Sequence, residues 1–101
     1  MILREKDKLA LLDILSSLGY PIEVWAYGSR VNGSAHAGSD LDLAVRGQNG
    51  ESLPFTVYSK LLEKIQDSNI PILVDIRDFY ALPQAFRKNI ENEYEVLYRQ
   101  L

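Results

Sequence analysis

The chain has 101 residues, a length that fits one domain (1–101) and leaves little room for a second. Apolar residues make up 47% and charged residues 25%, an ordinary globular balance, and the formal net charge of −3 argues against direct nucleic-acid binding, which usually needs a clustered basic surface. There is no cysteine, so disulfides and thiolate metal sites are excluded; the N-terminus has no apolar signal core and no stretch approaches the roughly 20 apolar residues of a membrane span, so a soluble, cytoplasmic protein is expected.

Residues 5–18 read as a helix, with Leu11, Leu12, Leu15 and Leu18 at helical spacing and Gly19 and Pro21 closing it. Residues 22–27 read as a strand. Ile22, Val24 and Ala26 share one face and Glu23, Trp25 and Tyr27 the other, so both faces are expected to be covered for part of its length. Gly28-Ser29 ends the strand, a short helical turn runs from Ser29 to near Gly33, and residues 33–39 form a loop of small residues. A second strand covers residues 40–45. Alternation turns Asp40 and Asp42 one way and Leu41, Leu43 and Val45 into the core. After a polar turn, Ser52 and Pro54 open a helix carrying Tyr58, Leu61, Leu62 and Ile65 on one face. Pro71 precedes a third strand over 72–76, interrupted only by Asp75; Pro83 opens a last helix with Phe86 and Ile90, and residues 94–98 read as a closing strand ahead of the alternative, a final helical turn. This order predicts an α/β (α+β) fold, a small sheet with helices packed against it.

Two features carry chemistry. Asp40 and Asp42, on one strand face, lie roughly 6–7 Å apart along the chain. Carboxylates so spaced suit magnesium, which binds through one or two carboxylates plus substrate phosphates. Gly28 lets a phosphate approach the backbone where strand turns into helix, and exposed N–H groups with the Ser29 hydroxyl can donate to it. The chain contains neither G-x-x-x-x-G-K-[ST] nor G-x-G-x-x-G, so it is not a P-loop or dinucleotide fingerprint. Asp75, in the most apolar strand, needs a metal, a partner or a cleft to justify its charge. On the side of Asp40 and Asp42 it would complete a two-metal site, one metal steadying the triphosphate and the other activating a hydroxyl, with Asp75 as ligand and proton acceptor. Arg30 is equally suited to a phosphate, a partner or a surface carboxylate. His36 reads as an exposed loop histidine, and Trp25 and Tyr27 as core or interface aromatics.

The residues Trp25-Ala-Tyr-Gly-Ser-Arg30, Gly33, Ser39-Asp-Leu-Asp-Leu-Ala44 and Val74-Asp-Ile76, with Leu82-Pro83, Phe86 and Val96-Leu-Tyr98, resemble the minimal nucleotidyltransferases (MNT) of the DNA-polymerase-β-like superfamily encoded beside HEPN partners. The resemblance implies a mixed sheet flanked by helices. It also implies magnesium at Asp40 and Asp42 with Asp75 as third acidic residue, and Gly28 and Ser29 as triphosphate contacts with Arg30 nearby. Many relatives are basic where this chain has Asn32, so position 32 is not counted in the site.

About 25 residues follow the third strand, too few for a separate base-binding or acceptor-binding domain, so a partner chain is expected to complete the site. The resemblance names a candidate: a helical HEPN toxin, which an MNT antitoxin modifies by transferring AMP from ATP to a tyrosine hydroxyl with release of pyrophosphate. Two other readings stay open: a non-catalytic module that masks its partner sterically, and a nucleotidyltransferase acting on an aminoglycoside-like small molecule.

Overall fold

In the computed structural model, which describes residues 1–36 and 38–100, four strands form one mixed sheet in the order β3-β2-β1-β4. Ala37, in the expected small-residue loop, and Leu101, at the end of the expected domain, lie outside the described residues. The elements in chain order are α1 (Glu5–Ser16), β1 (Ile22–Tyr27), α2 (Ser29–Asn32), β2 (Leu41–Gly47), α3 (Phe55–Gln66), β3 (Val74–Asp78), α4 (Gln84–Asn92) and β4 (Glu95–Gln100), with single 3-10 turns at Gln48–Gly50 and Phe79–Ala81. β1 is the hub: it pairs antiparallel with β2 and with β4, while β2 pairs parallel with β3 across the α3 crossover.

One face of the sheet carries the larger core. Leu11 and Leu15 of α1 and Leu61 of α3 bury against Ile22, Val24 and Ala26 of β1 and Leu41, Leu43 and Val45 of β2. The alternation of apolar residues in β1 and β2 therefore points where the sequence predicts, and it fixes the opposite face as the one carrying Trp25, Tyr27 and Asp42. On that second face α4 lays Ile90 against Trp25, Ala44 and Phe79. Trp25 stacks on Tyr94 at 3.8 Å, and the Arg46 guanidinium lies 4.3 Å from the Trp25 ring centre while pairing with buried Glu23 at 2.7 Å. The aromatic half of this face is thus filled by its own side chains, and Trp25 is a core residue as expected.

The third strand departs from the sequence reading. It runs Val74–Asp78 rather than over 72–76. The Leu41 N–H donates to the Leu73 carbonyl at 2.9 Å, the Asp42–Asp75 register follows, and Leu73 is left 67% exposed at the strand's entry. Leu62 also departs from the predicted buried stripe of α3 and is exposed. Among the described residues no helix is long and apolar enough to cross a membrane.

Candidate active site

The site gathers at the end of the second face that α4 leaves open. Tyr27 is the β1 register partner of Asp42, and Asp42 is the β2 register partner of Asp75. Directly paired residues on neighbouring strands share a face, so Tyr27, Asp42 and Asp75 form one row across three strands. Asp40 lies just before β2, exposed to solvent and two residues from Asp42.

The charges in this row act on one another. Burial, then the negative charges of Asp75 and Asp40, raise the Asp42 carboxyl above the usual carboxylate range, with Arg77 opposing. Burial and then neighbouring carboxylates, Asp42 before Asp75, push the Tyr27 phenol up to about 12. Arg77 lies on the same face two residues beyond Asp75. It approaches the Asp75 carboxylate at 3.4 Å and sits 5.9 Å from the Phe86 ring centre.

Gly28 supplies the notch beside the row. Its backbone, at φ 78° and ψ −153°, lies in a region open essentially to glycine alone. A Cβ there would overlap an Asp42 carboxylate oxygen and lie 3.3 Å from its Cγ. The bare backbone of Gly28 and the Asp42 carboxylate therefore occupy adjoining space, as a phosphate bridged to a cation requires. The Gly28 carbonyl accepts the N–H groups of Val31 and Asn32, which turns the chain into α2, and the half-buried Ser29 hydroxyl has no hydrogen bond among the described residues.

The donor set fits a hard divalent cation: the candidate ligands are carboxylate oxygens, and the repulsion that raises Asp42 is what a cation would relieve. Among the described residues no three His, Cys, Asp or Glu side chains are already drawn into a closed metal cluster. Two carboxylates completed by substrate oxygens match that arrangement better than an all-protein cage.

For Arg30 the sequence left a phosphate, a partner and a surface carboxylate open, and the structure shows backbone carbonyls among its acceptors. Its side chain is buried: Nε and Nη2 donate to the Ser39 carbonyl at 3.0 and 2.8 Å, and Nη1 donates to the Ile2 carbonyl at 2.7 Å. The guanidinium ties the segment entering Asp40 to the N-terminal segment of the chain, so it positions a site carboxylate from behind. His36 is exposed, its Nδ1 accepting the Gly38 N–H.

Four residues near the site were not assigned to it from the sequence. Arg77 was legible in principle, since period-two alternation puts it on the face of Asp75. Phe86 and Asn89 line a cavity of about 240 Å³ next to Gly28, and their spacing along α4 was the available signal. Asn32, left out of the site, also borders that cavity.

Residues 10–100 match the family described as Polymerase beta, Nucleotidyltransferase. A Haemophilus influenzae protein described as a probable protein adenylyltransferase, MntA, is 37% identical over 94 residues, which cover 92% of this chain and 81% of that relative. In fold, the chain resembles one chain of the crystal structure of a toxin-antitoxin with AMP-PNP, at a TM-score of 0.73 and 19% identity over 92% of this chain and 73% of that one. With its carboxylate row, its Gly-Ser notch and these likenesses, the chain belongs to the polymerase-β nucleotidyltransferase family, as a minimal nucleotidyltransferase.

Proposed function

We propose that this protein is the antitoxin of a toxin–antitoxin pair and acts as a protein adenylyltransferase in the cytoplasm, moving AMP from ATP to a tyrosine hydroxyl of a HEPN toxin partner. The observation that carries this reading is the row of Asp42 and Asp75 abutting the open backbone of Gly28. The relative described as a probable protein adenylyltransferase supports the group transferred and the acceptor class.

Asp40 and Asp42 would hold magnesium, and Asp75 would contribute to a second ion. Magnesium when bound neutralises the phosphate charge and polarises the reacting phosphorus. Gly28 and Ser29 steady the triphosphate through the backbone and the hydroxyl. The acceptor oxygen attacks the α-phosphorus, the bond from that phosphorus to the bridging oxygen breaks, and pyrophosphate leaves. Asp75, 37% exposed and beside the open end of the site, takes the hydroxyl proton.

The test is intact-mass analysis of the HEPN partner after incubation with this protein, ATP and magnesium. The partner gains adenylyl mass, and Asp40→Asn combined with Asp42→Asn abolishes the gain. An unmodified partner that is neutralised equally well by the double variant would replace transfer with steric masking. Modification of an aminoglycoside-like hydroxyl instead of the partner would move the acceptor to a small molecule.

A further inference from the structure

The cavity beside Gly28 has a composition that phosphate and metal binding leave unused. Its volume, about 240 Å³, falls below the roughly 300–1,000 Å³ of sites that swallow whole drug-sized ligands. It suits one flat ring system. Tyr27 and Phe86 meet edge to face along it, with ring centres 6.2 Å apart. Buried Ile90 forms an apolar floor. Phe86, Asn89, Ile90 and Glu93 follow one another at spacings of three, one and three residues, which places them on one side of α4 and its C-terminal end. The side chains of Asn89 and Glu93 have no hydrogen bond or ion pair among the described residues.

Gly28 joins this cavity to the carboxylate row, since it lines the cavity while its missing Cβ leaves room for Asp42. A nucleoside triphosphate laid from Asp42 across Gly28 brings its far end to the cavity mouth. We infer that the cavity between Tyr27 and α4 is the nucleobase subsite, taking a purine ring against Phe86 and reading it with Asn89 and Glu93. A carboxylate there accepts from an exocyclic amino group, and a carboxamide pairs with a purine ring nitrogen and its neighbour, the chemistry by which Asn and Glu read bases elsewhere. Uracil offers no amino group and is excluded by an unpaired Glu93. The inference rests on the nucleotidyltransfer reading and changes one part of it: the base is held by this chain, so the partner is left to supply the acceptor alone.

The experiment compares calorimetric binding of AMP-PNP, UMP-PNP and inorganic tripolyphosphate, each with magnesium, to the full chain and to Asn89→Ala and Glu93→Ala. Both positions are exposed, one on α4 and one just past its end, so circular dichroism of the variants should match the parent. AMP-PNP should bind about tenfold or more tightly than either other ligand, and each variant should remove most of that advantage while leaving tripolyphosphate unchanged. If tripolyphosphate binds and depends on Asp40 and Asp42, but AMP-PNP gains nothing over it or ignores both variants, the subsite is wrong and the transfer reading stands. If neither AMP-PNP nor tripolyphosphate binds, both fall.

Discussion

Replacing Gly28 with alanine tests the geometry of the site directly. Two costs arise. At φ 78° and ψ −153° an alanine backbone is strained by about 1–3 kcal/mol. The new methyl also overlaps a carboxylate oxygen of Asp42 and crowds its Cγ at 3.3 Å and its Cβ at 3.5 Å, so the carboxylate must leave its rotamer at roughly 1 kcal/mol. The sum is about 2–4 kcal/mol. Gly33 is the internal control: it has φ 87° and ψ 2°, and among the described residues nothing lies within 4 Å of its absent Cβ. Gly33→Ala should therefore cost only the left-handed strain, about 1 kcal/mol. Urea denaturation measures both, and in melting each kcal/mol corresponds to roughly 4–8 °C for a domain of this size. Magnesium-dependent binding of AMP-PNP, followed by calorimetry, should survive Gly33→Ala and be lost in Gly28→Ala, because only the latter displaces Asp42. Equal destabilisation by the two variants, with binding kept in both, would refute the close approach of notch and carboxylate on which the site is built.

Arg30→Met should lower stability by about 3 kcal/mol, because it leaves the Ser39 and Ile2 carbonyls without their donors; unchanged urea stability with weakened triphosphate binding would make Arg30 a phosphate contact instead. Asp42→Asn should stabilise the magnesium-free protein while abolishing transfer, since it removes a partly buried charge opposed by Asp75 and Asp40. The raised Asp42 carboxyl also gives the parent a sign: the folded state binds the extra proton, so stability falls as pH rises from the unfolded carboxylate value through the higher folded one, and the Asp42→Asn variant should show a flatter slope in urea titrations. Asp7 should behave oppositely. Its carboxylate receives Arg4 Nε at 2.9 Å and Nη2 at 3.1 Å, and this hydrogen bonding lowers its proton affinity. Its contribution is therefore present above the unfolded carboxylate value and lost as pH falls through the folded one, a slope that Asp7→Asn should erase.

Local periodicity made much of this legible. β1 begins and ends where alternation and Gly28 put its bounds, and Leu41, Leu43 and Val45 face the core because each side chain's direction is fixed by its neighbours. What local pattern cannot carry is pairing. In Ile72-Leu-Val-Asp-Ile76 several registers satisfy apolar burial equally, and the strand's two-residue displacement comes from its bond to Leu41 and the Asp42–Asp75 match, both contributed by a strand about 33 residues earlier. Arg30 shows the same limit. Beside Gly-Ser the sequence leaves a phosphate, a partner and a surface carboxylate equally open, whereas the acceptors seen include the Ser39 and Ile2 carbonyls, the latter 28 residues away. The cavity was hidden because Phe86, Asn89 and Glu93 are ordinary residues for a helix surface. Only their position opposite Tyr27 and Gly28 makes them a wall.

The second face of the sheet explains why α4 sits where it does. A helix covering the whole face would bury Asp42 and Asp75 without water or a cation, a cost of several kcal/mol for each charge. A face left bare would expose Trp25 and Phe79, which are 7% and 3% accessible. The chain avoids both outcomes by docking α4 over the aromatic half only, with Ile90 as its anchor and Phe86 at the edge of the open half. The boundary between stability and chemistry therefore runs along a single helix: buried Ile90 holds the fold and floors the cavity, while exposed Asn89, its immediate neighbour, lines the cavity's wall. Substitutions at Ile90 should tilt the wall that Asn89 and Phe86 form, so they would disturb nucleotide binding as well as folding. Substitutions at Asn89 should leave the fold alone. That asymmetry between adjacent residues is what a cavity shaped by the back of a core helix entails.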